Sequence, residues 1–230
     1  MKKILLTAAM LLTMMAISLN AQEKEWPNYA RYAKSNKEIL EAQANGAKKP
    51  LAVLMGDSIT DGWYPSDKAF FEEHNLVGRG ISGQCTSHML ARFQRDVVDL
   101  HPKYVVILAG INDIALNNGF SSKENALGNI ISMCQIAKQN KIKVILCSTT
   151  PADRFSWRPE IKDVLEQSTW LNAAIKDYAA KNHIRFADYA AALCNDKGAT
   201  DAKYSKDSVH PNLEGYKIME SVLLEALHIR

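Results

Sequence analysis

The sequence predicts a three-layer α/β domain built on a five-stranded parallel sheet, and two observations carry that prediction. Five short runs of apolar or β-branched residues recur along the chain: LAVLM, NLVGRGI, YVVILAG, KVILCSTT and IRFADY. Continuous runs of this kind suit strands covered on both faces. Helical apolar periodicity separates the runs, and strands alternating with helices imply parallel strands joined by crossovers.

Taken in order, the chain starts with Lys2 and Lys3, an apolar stretch ILLTAAMLLTMMAISL, and the small residue Ala21. That is a secretory signal-peptide pattern rather than an uncleaved anchor, so residues 1–21 are expected to be removed and the protein exported, periplasmic or secreted. No cysteine sits at the cleavage point, which argues against a lipid anchor. Residues 22–230 are expected to form one domain, and 22–50 an N-terminal helical segment packed on it. The helix there, over about 28–45, ends near Gly46. It has too little apolar area and no basic face, so no stable membrane association is expected after signal removal. Further helical patterns cover about 85–99, 122–140 and 160–181, and a last helix follows Pro211. Repeats, linkers and low-complexity segments do not interrupt the pattern.

Setting Lys2 and Lys3 aside, 26 basic residues face 25 acidic ones, which leaves no electrostatic footprint for nucleic acid. Cys85, Cys134, Cys147 and Cys194 show no C-x-x-C spacing, so no zinc site is expected. Export permits a disulfide, but Cys134 and Cys147 fall in helix-like and strand-like patterns where free buried cysteine is common.

In open α/β sheets, ligands bind beyond the carboxyl ends of the strands. Chemistry-bearing residues fall at those places. The first strand delivers GDS with Ser58, the second GRGISGQ with Gly83, and the third AGIND with Asn112. DSVHPN, after the fifth strand, brings Asp207 and His210. Pro211 suits the first position of a helix, which would hold His210 at its entry. Asp207, three residues earlier, is placed to accept from the imidazole, and an imidazole facing Ser58 would complete a nucleophile, base and orienting acid. Donors for an oxyanion are at hand in the Ser58 N–H, the Gly83 N–H and the Asn112 carboxamide. Each residue alone also has a plainer reading: Ser58 as a helix cap, Gly83 as a turn glycine, Asn112 as a strand-end hydrogen-bonder. Their joint occurrence, each after its own strand, favours a site.

GDSIT, GISGQ, GIND and DSVHPN together resemble the four blocks of the SGNH (GDSL-type) hydrolase superfamily, and the likeness runs from about Trp26 to the end of the chain. GDSITDGW is similar to the branch of platelet-activating-factor acetylhydrolase catalytic subunits. The resemblance implies a flavodoxin-like sheet and a serine esterase mechanism needing no cofactor or metal. Ser58 would be the nucleophile, activated by His210 with Asp207, while Ser58, Gly83 and Asn112 stabilise the tetrahedral intermediate. It also implies short acyl groups, often acetyl. Gln84 departs from the pattern, since many relatives carry a small or acidic residue there.

For the substrate, the loop TTPADRFSWRPEI after the fourth strand offers Trp157 to stack on a sugar, and Arg154 or Arg158 to meet a carboxylate or phosphate. Trp63, just past Ser58, is a similar candidate. Both tryptophans have the alternative of packing on the domain. Asp57, Asp61 and Asp113 read as caps and turn-formers rather than cation ligands. The expected partner is a small-molecule or glycan ester. The expected activity is short-acyl ester hydrolysis, with long-chain lysophospholipase or thioesterase action, or carbohydrate binding without catalysis, as the alternatives.

Overall fold

The computed structural model describes residues 26–229; the signal-peptide expectation for residues 1–21 lies outside them. Five parallel strands, β1 (Ala52–Gly56), β2 (Leu76–Gly80), β3 (Tyr104–Leu108), β4 (Lys143–Cys147) and β5 (Arg185–Ala187), lie in the order β2-β1-β3-β4-β5. This is the flavodoxin-like order, with its switch point between β1 and β3. Every residue of β1 and β3 is buried, which is why their sequences run apolar without alternation. Gly56 pairs with both Gly80 and Leu108, so the first three strands end level with one another.

The helices are α1 (Ala30–Ala44), α2 (Ser58–Ser66), α3 (Lys68–Glu73), α4 (Thr86–Asp96), α5 (Ile111–Ile114), α6 (Lys123–Gln139), α7 (Val164–Lys181), α8 (Tyr189–Leu193) and α9 (Leu213–Leu227). A single 3₁₀ turn, Val98–Leu100, follows α4. One face of the sheet carries α2, α3, α8 and α9; α4, α6 and α7 cover the other, with α1 against α4.

Three sequence expectations are corrected. The helix expected from about residue 160 starts at Val164, because Arg158 and Glu160 are taken up in a turn before it. The segment expected as one helix over about 85–99 is α4, which ends at Asp96, followed by the 3₁₀ turn. Pro211 is not the first residue of the last helix. Asn212 caps α9 by accepting from the Gly215 N–H at 2.9 Å, and Pro211 instead bridges to Ser205 outside it.

Candidate active site

The turn after β1 is set by Asp57, which caps α2 by accepting from the Ile59 N–H at 3.0 Å. Ser58 is thereby the first residue of the helix, where its own N–H has no intrahelical acceptor. Beneath it β2 must come very close: a Cβ on Gly80 would lie 2.1 Å from Asp61 N and 2.6 Å from Asp57 O. Only glycine permits that approach.

The partner segment arrives from the far edge of the sheet. Ser208 adopts φ +74, a strained left-handed conformation, and its hydroxyl donates to Asp153 Oδ1 at 2.7 Å. This reversal turns the Val209 and His210 N–H groups onto Asp207 Oδ1, at 3.0 and 2.8 Å. The other carboxylate oxygen meets His210 Nδ1 at 2.6 Å, and His210 Nε2 stands 2.8 Å from Ser58 Oγ. Serine, histidine and aspartate thus form one continuous row. Burial alone would raise Asp207, but the ring and backbone donors outweigh it and hold the carboxyl at about 2. Asp207 is therefore an anion at any working pH.

Helix α9 is locked to α2 by the aromatic cluster around Trp63. The indole packs on Tyr216, Phe71, Phe70 and Tyr189 with centroids 5.4–6.1 Å apart, and its N–H donates to Glu220 at 3.2 Å. Tyr216 donates to the Ile59 carbonyl at 2.8 Å, tying the helix behind His210 to the residue after Ser58. Trp63 is 1% exposed, which corrects its candidacy as a substrate contact. Its position in α2 turns it away from the sheet edge and into the core.

The remaining predicted residues are distributed as follows. Gly83 sits at φ +80 with open space where a Cβ would be. Asn112 is buried in α5; its amide donates to the Gln84 carbonyl at 3.1 Å and its oxygen accepts from Asn117 at 2.6 Å. Gln84, the departure from the family pattern, is structural: its side chain accepts from Arg92 and donates to the Pro27 carbonyl. Trp157 lies beside the row, its ring 6.0 Å from that of His210 and 38% exposed. Arg158 is engaged with Glu160 and the Leu116 carbonyl, and Arg154, exposed, with its neighbour Asp153. Asp113 caps α4 through the Thr86 N–H and hydroxyl, and burial raises it despite those donors. Burial likewise pushes Asp57 up to about 6, against the pull of the Ile59 N–H and the nearby His210. Asp61 does not cap; it binds Arg31 at 3.0 Å and the Ser82 hydroxyl at 2.8 Å.

A groove of about 950 Å³ opens at Ser58 and His210 and runs down the free edge of β2, between α1 and α2. Arg31 and Tyr32 of α1, with Asp61, Tyr64 and Ser82, form its walls. Nothing in the residues of α1 marks it as part of this groove, since its helical period reports only that it packs on the domain. Among the described residues no group of three or more His, Cys, Asp or Glu could hold a metal ion, and Cys85, Cys134, Cys147 and Cys194 are free thiols.

The GDSL-like lipase/acylhydrolase family pattern matches residues 54–218. A GDSL-like lipase from Bacteroides thetaiotaomicron VPI-5482 is 42% identical, the alignment covering 89% of this chain and 98% of that one, with a TM-score of 0.82. An acetylxylan esterase from Geobacillus stearothermophilus shares the fold at 21% identity and a TM-score of 0.62, over 78% of this chain and 94% of that one. The uncharacterized lipoprotein YqeF of Bacillus subtilis (strain 168) is 35% identical over 116 residues, 43% of this chain and 48% of that protein, so the match spans about half the length of this curated relative.

Proposed function

The chain belongs to the GDSL-like lipase/acylhydrolase family, and we propose that it is an exported serine esterase that removes short acyl groups, acetyl above all, from carbohydrate-type esters. The row from Ser58 Oγ through His210 to Asp207, at 2.8 and 2.6 Å, carries this reading. His210 Nε2 accepts the hydroxyl proton as Ser58 Oγ attacks the ester carbonyl. Asp207, ionised, holds the tautomer with its proton on Nδ1 and stabilises the imidazolium. The Ser58 and Gly83 N–H groups and the Asn112 amide receive the developing oxyanion. His210 then returns the proton to the leaving alcohol, and water, activated by the same imidazole, releases the acid and restores Ser58.

Support for a carbohydrate leaving group comes from the half-exposed Trp157 ring beside His210, and from the Arg31–Asp61 pair and Ser82 hydroxyl facing the groove. A second reading, longer acyl chains, is favoured by the apolar part of that groove's lining, Tyr64, Pro65, Leu76 and Val77. Export rests on the signal pattern at residues 1–21, and among the described residues no helix is long and apolar enough to cross a membrane. We take residues 22–230 as one catalytic domain. A fluorophosphonate probe should label the purified protein at Ser58, seen by peptide mass spectrometry, and should not label Ser58→Ala. An unlabelled wild type would overturn the reading and leave a binding protein on a hydrolase fold.

A further inference from the structure

An oxyanion donor is useful only if it is held in the right orientation, and a primary amide can present either its NH₂ or its oxygen. Asn112 belongs to a hydrogen-bonded chain that settles this. Trp157 Nε1 donates to Asn117 Oδ1 at 3.1 Å, Asn117 Nδ2 donates to Asn112 Oδ1 at 2.6 Å, and Asn112 Nδ2 donates to the Gln84 carbonyl at 3.1 Å. An indole nitrogen can only donate and a peptide carbonyl can only accept. The two ends therefore fix the polarity of both amides between them, and neither can flip without leaving two groups mismatched. Asn112 spends one amide hydrogen on Gln84 and keeps the second for another acceptor.

The backbone is shaped to the same end. Leu116 takes φ +53, a conformation that such a side chain rarely adopts, and is held there by Arg158 Nη1 on its carbonyl at 3.1 Å. That turn brings the Asn117 N–H onto the Asn112 carbonyl at 3.0 Å, so Asn117 grips Asn112 by main chain and side chain together. At the other end of the relay, the Trp157 ring packs at a tilt against buried Phe155, centroids 5.0 Å apart, and lies 6.0 Å from the ring of His210.

We propose that Asn117 is a positioning residue for the oxyanion amide of Asn112, and that Trp157, through its indole N–H, sets the orientation of both while lying against the catalytic base. This rests on the esterase reading above. It couples the exposed ring, which a substrate meets first, to the amide that meets the transition state.

The test is a double-mutant cycle on p-nitrophenyl acetate. Asn117→Ala should lower kcat about 10- to 100-fold, somewhat less than the loss of a donor itself, with KM held within about twofold. In an Asn112→Ala background the same change should cost less than about twofold, because the group it orients is already gone. Trp157→Phe removes the N–H together with the pyrrole half of the indole and leaves one aromatic ring in place; it should lower kcat by about 3- to 10-fold and do nothing further through the relay once Asn112 is alanine. A general structural role would lower kcat equally in both backgrounds, and that result, or a wild-type kcat in Asn117→Ala, overturns the proposal. Should Asn117→Ala fail to fold, Trp157→Phe decides alone. If the wild type itself shows no Ser58-dependent turnover, the esterase reading falls instead. The relay is then judged by the Asn112 side-chain amide resonances in ¹⁵N-labelled protein: a shift in Asn117→Ala supports it and unchanged resonances refute it.

Discussion

Replacing Gly80 by alanine adds one methyl group directly beneath the proposed nucleophile. Its Cβ would stand 2.1 Å from Asp61 N and 2.6 Å from both Asp57 O and Thr60 C, where ordinary contact begins at 3.4 Å. All three are backbone atoms, so no side chain can rotate out of the way. The structure must open by about 1.3 Å at the closest pair, 3.4 less 2.1 Å. One route shears β2 off β1, where Gly80 pairs with Gly56; the other lifts the first turn of α2, which the Asp61 N–H closes onto Asp57 O at 2.9 Å. Overpacking of this kind costs about 1–3 kcal/mol, and with only backbone to yield the upper end applies. Lifting the turn also carries Ser58 away from His210 Nε2, now 2.8 Å distant, and a misplacement of about 1 Å can cost about 100-fold in rate. Urea unfolding measures the first effect and kcat on p-nitrophenyl acetate the second. A Gly80→Ala protein with the wild-type midpoint and rate would refute the argument that this approach fixes Ser58.

Other consequences follow from the same geometry. Asp207→Asn keeps the shape of the loop but presents an NH₂ to His210 Nδ1, forcing the ring proton onto Nε2, where it cannot accept from Ser58; kcat should fall by about 10,000-fold with the fold intact by circular dichroism. Asp57 and Asp207 act oppositely on stability. Asp57 sits at about 6 in the fold, above its ordinary 3.8, so stability declines as pH rises from about 4 to 6; Asp207, at about 2, adds stability above pH 3.8 that is lost as pH falls from there toward 2. Asp57→Asn should flatten the unfolding free energy between pH 4 and 6 and leave the acid limb below 4 in place, as urea titrations across pH would read. Trp63→Ala empties the cluster joining α2 to α9 and should cost about 3–5 kcal/mol by the same unfolding assay.

The fold was legible because a parallel sheet buried on both faces has to be written in continuous apolar runs. All five runs became strands, each within a few residues of the expected span. The short helices α3, α5 and α8 left no such trace: four to six residues are too few to show a period. Ser58, Gly83 and Asn112 stood out because each follows its own strand, and Asp207 and His210 because they come together after the fifth, a rule that needs no knowledge of tertiary contacts. Trp63 and Trp157 looked alike in sequence, and only packing separates the core residue at 1% exposure from the one beside His210 at 38%. Asn117 was invisible because its importance lies in the direction of its hydrogen bonds, which pass through residues 84, 112 and 157. The groove wall from α1 was hidden for a similar reason, since nothing local to Arg31 and Tyr32 says that they face the free edge of β2.

The central claim is hydrolysis of a short-chain ester by Ser58. Purified residues 22–230 and their Ser58→Ala variant, assayed on p-nitrophenyl esters from acetate to laurate, test it most directly. The account predicts turnover that is highest on acetate, falls with chain length and drops by several orders of magnitude in Ser58→Ala. Turnover that peaks on laurate would contradict the short-acyl reading, and hydrolysis undiminished in Ser58→Ala would contradict the claim itself.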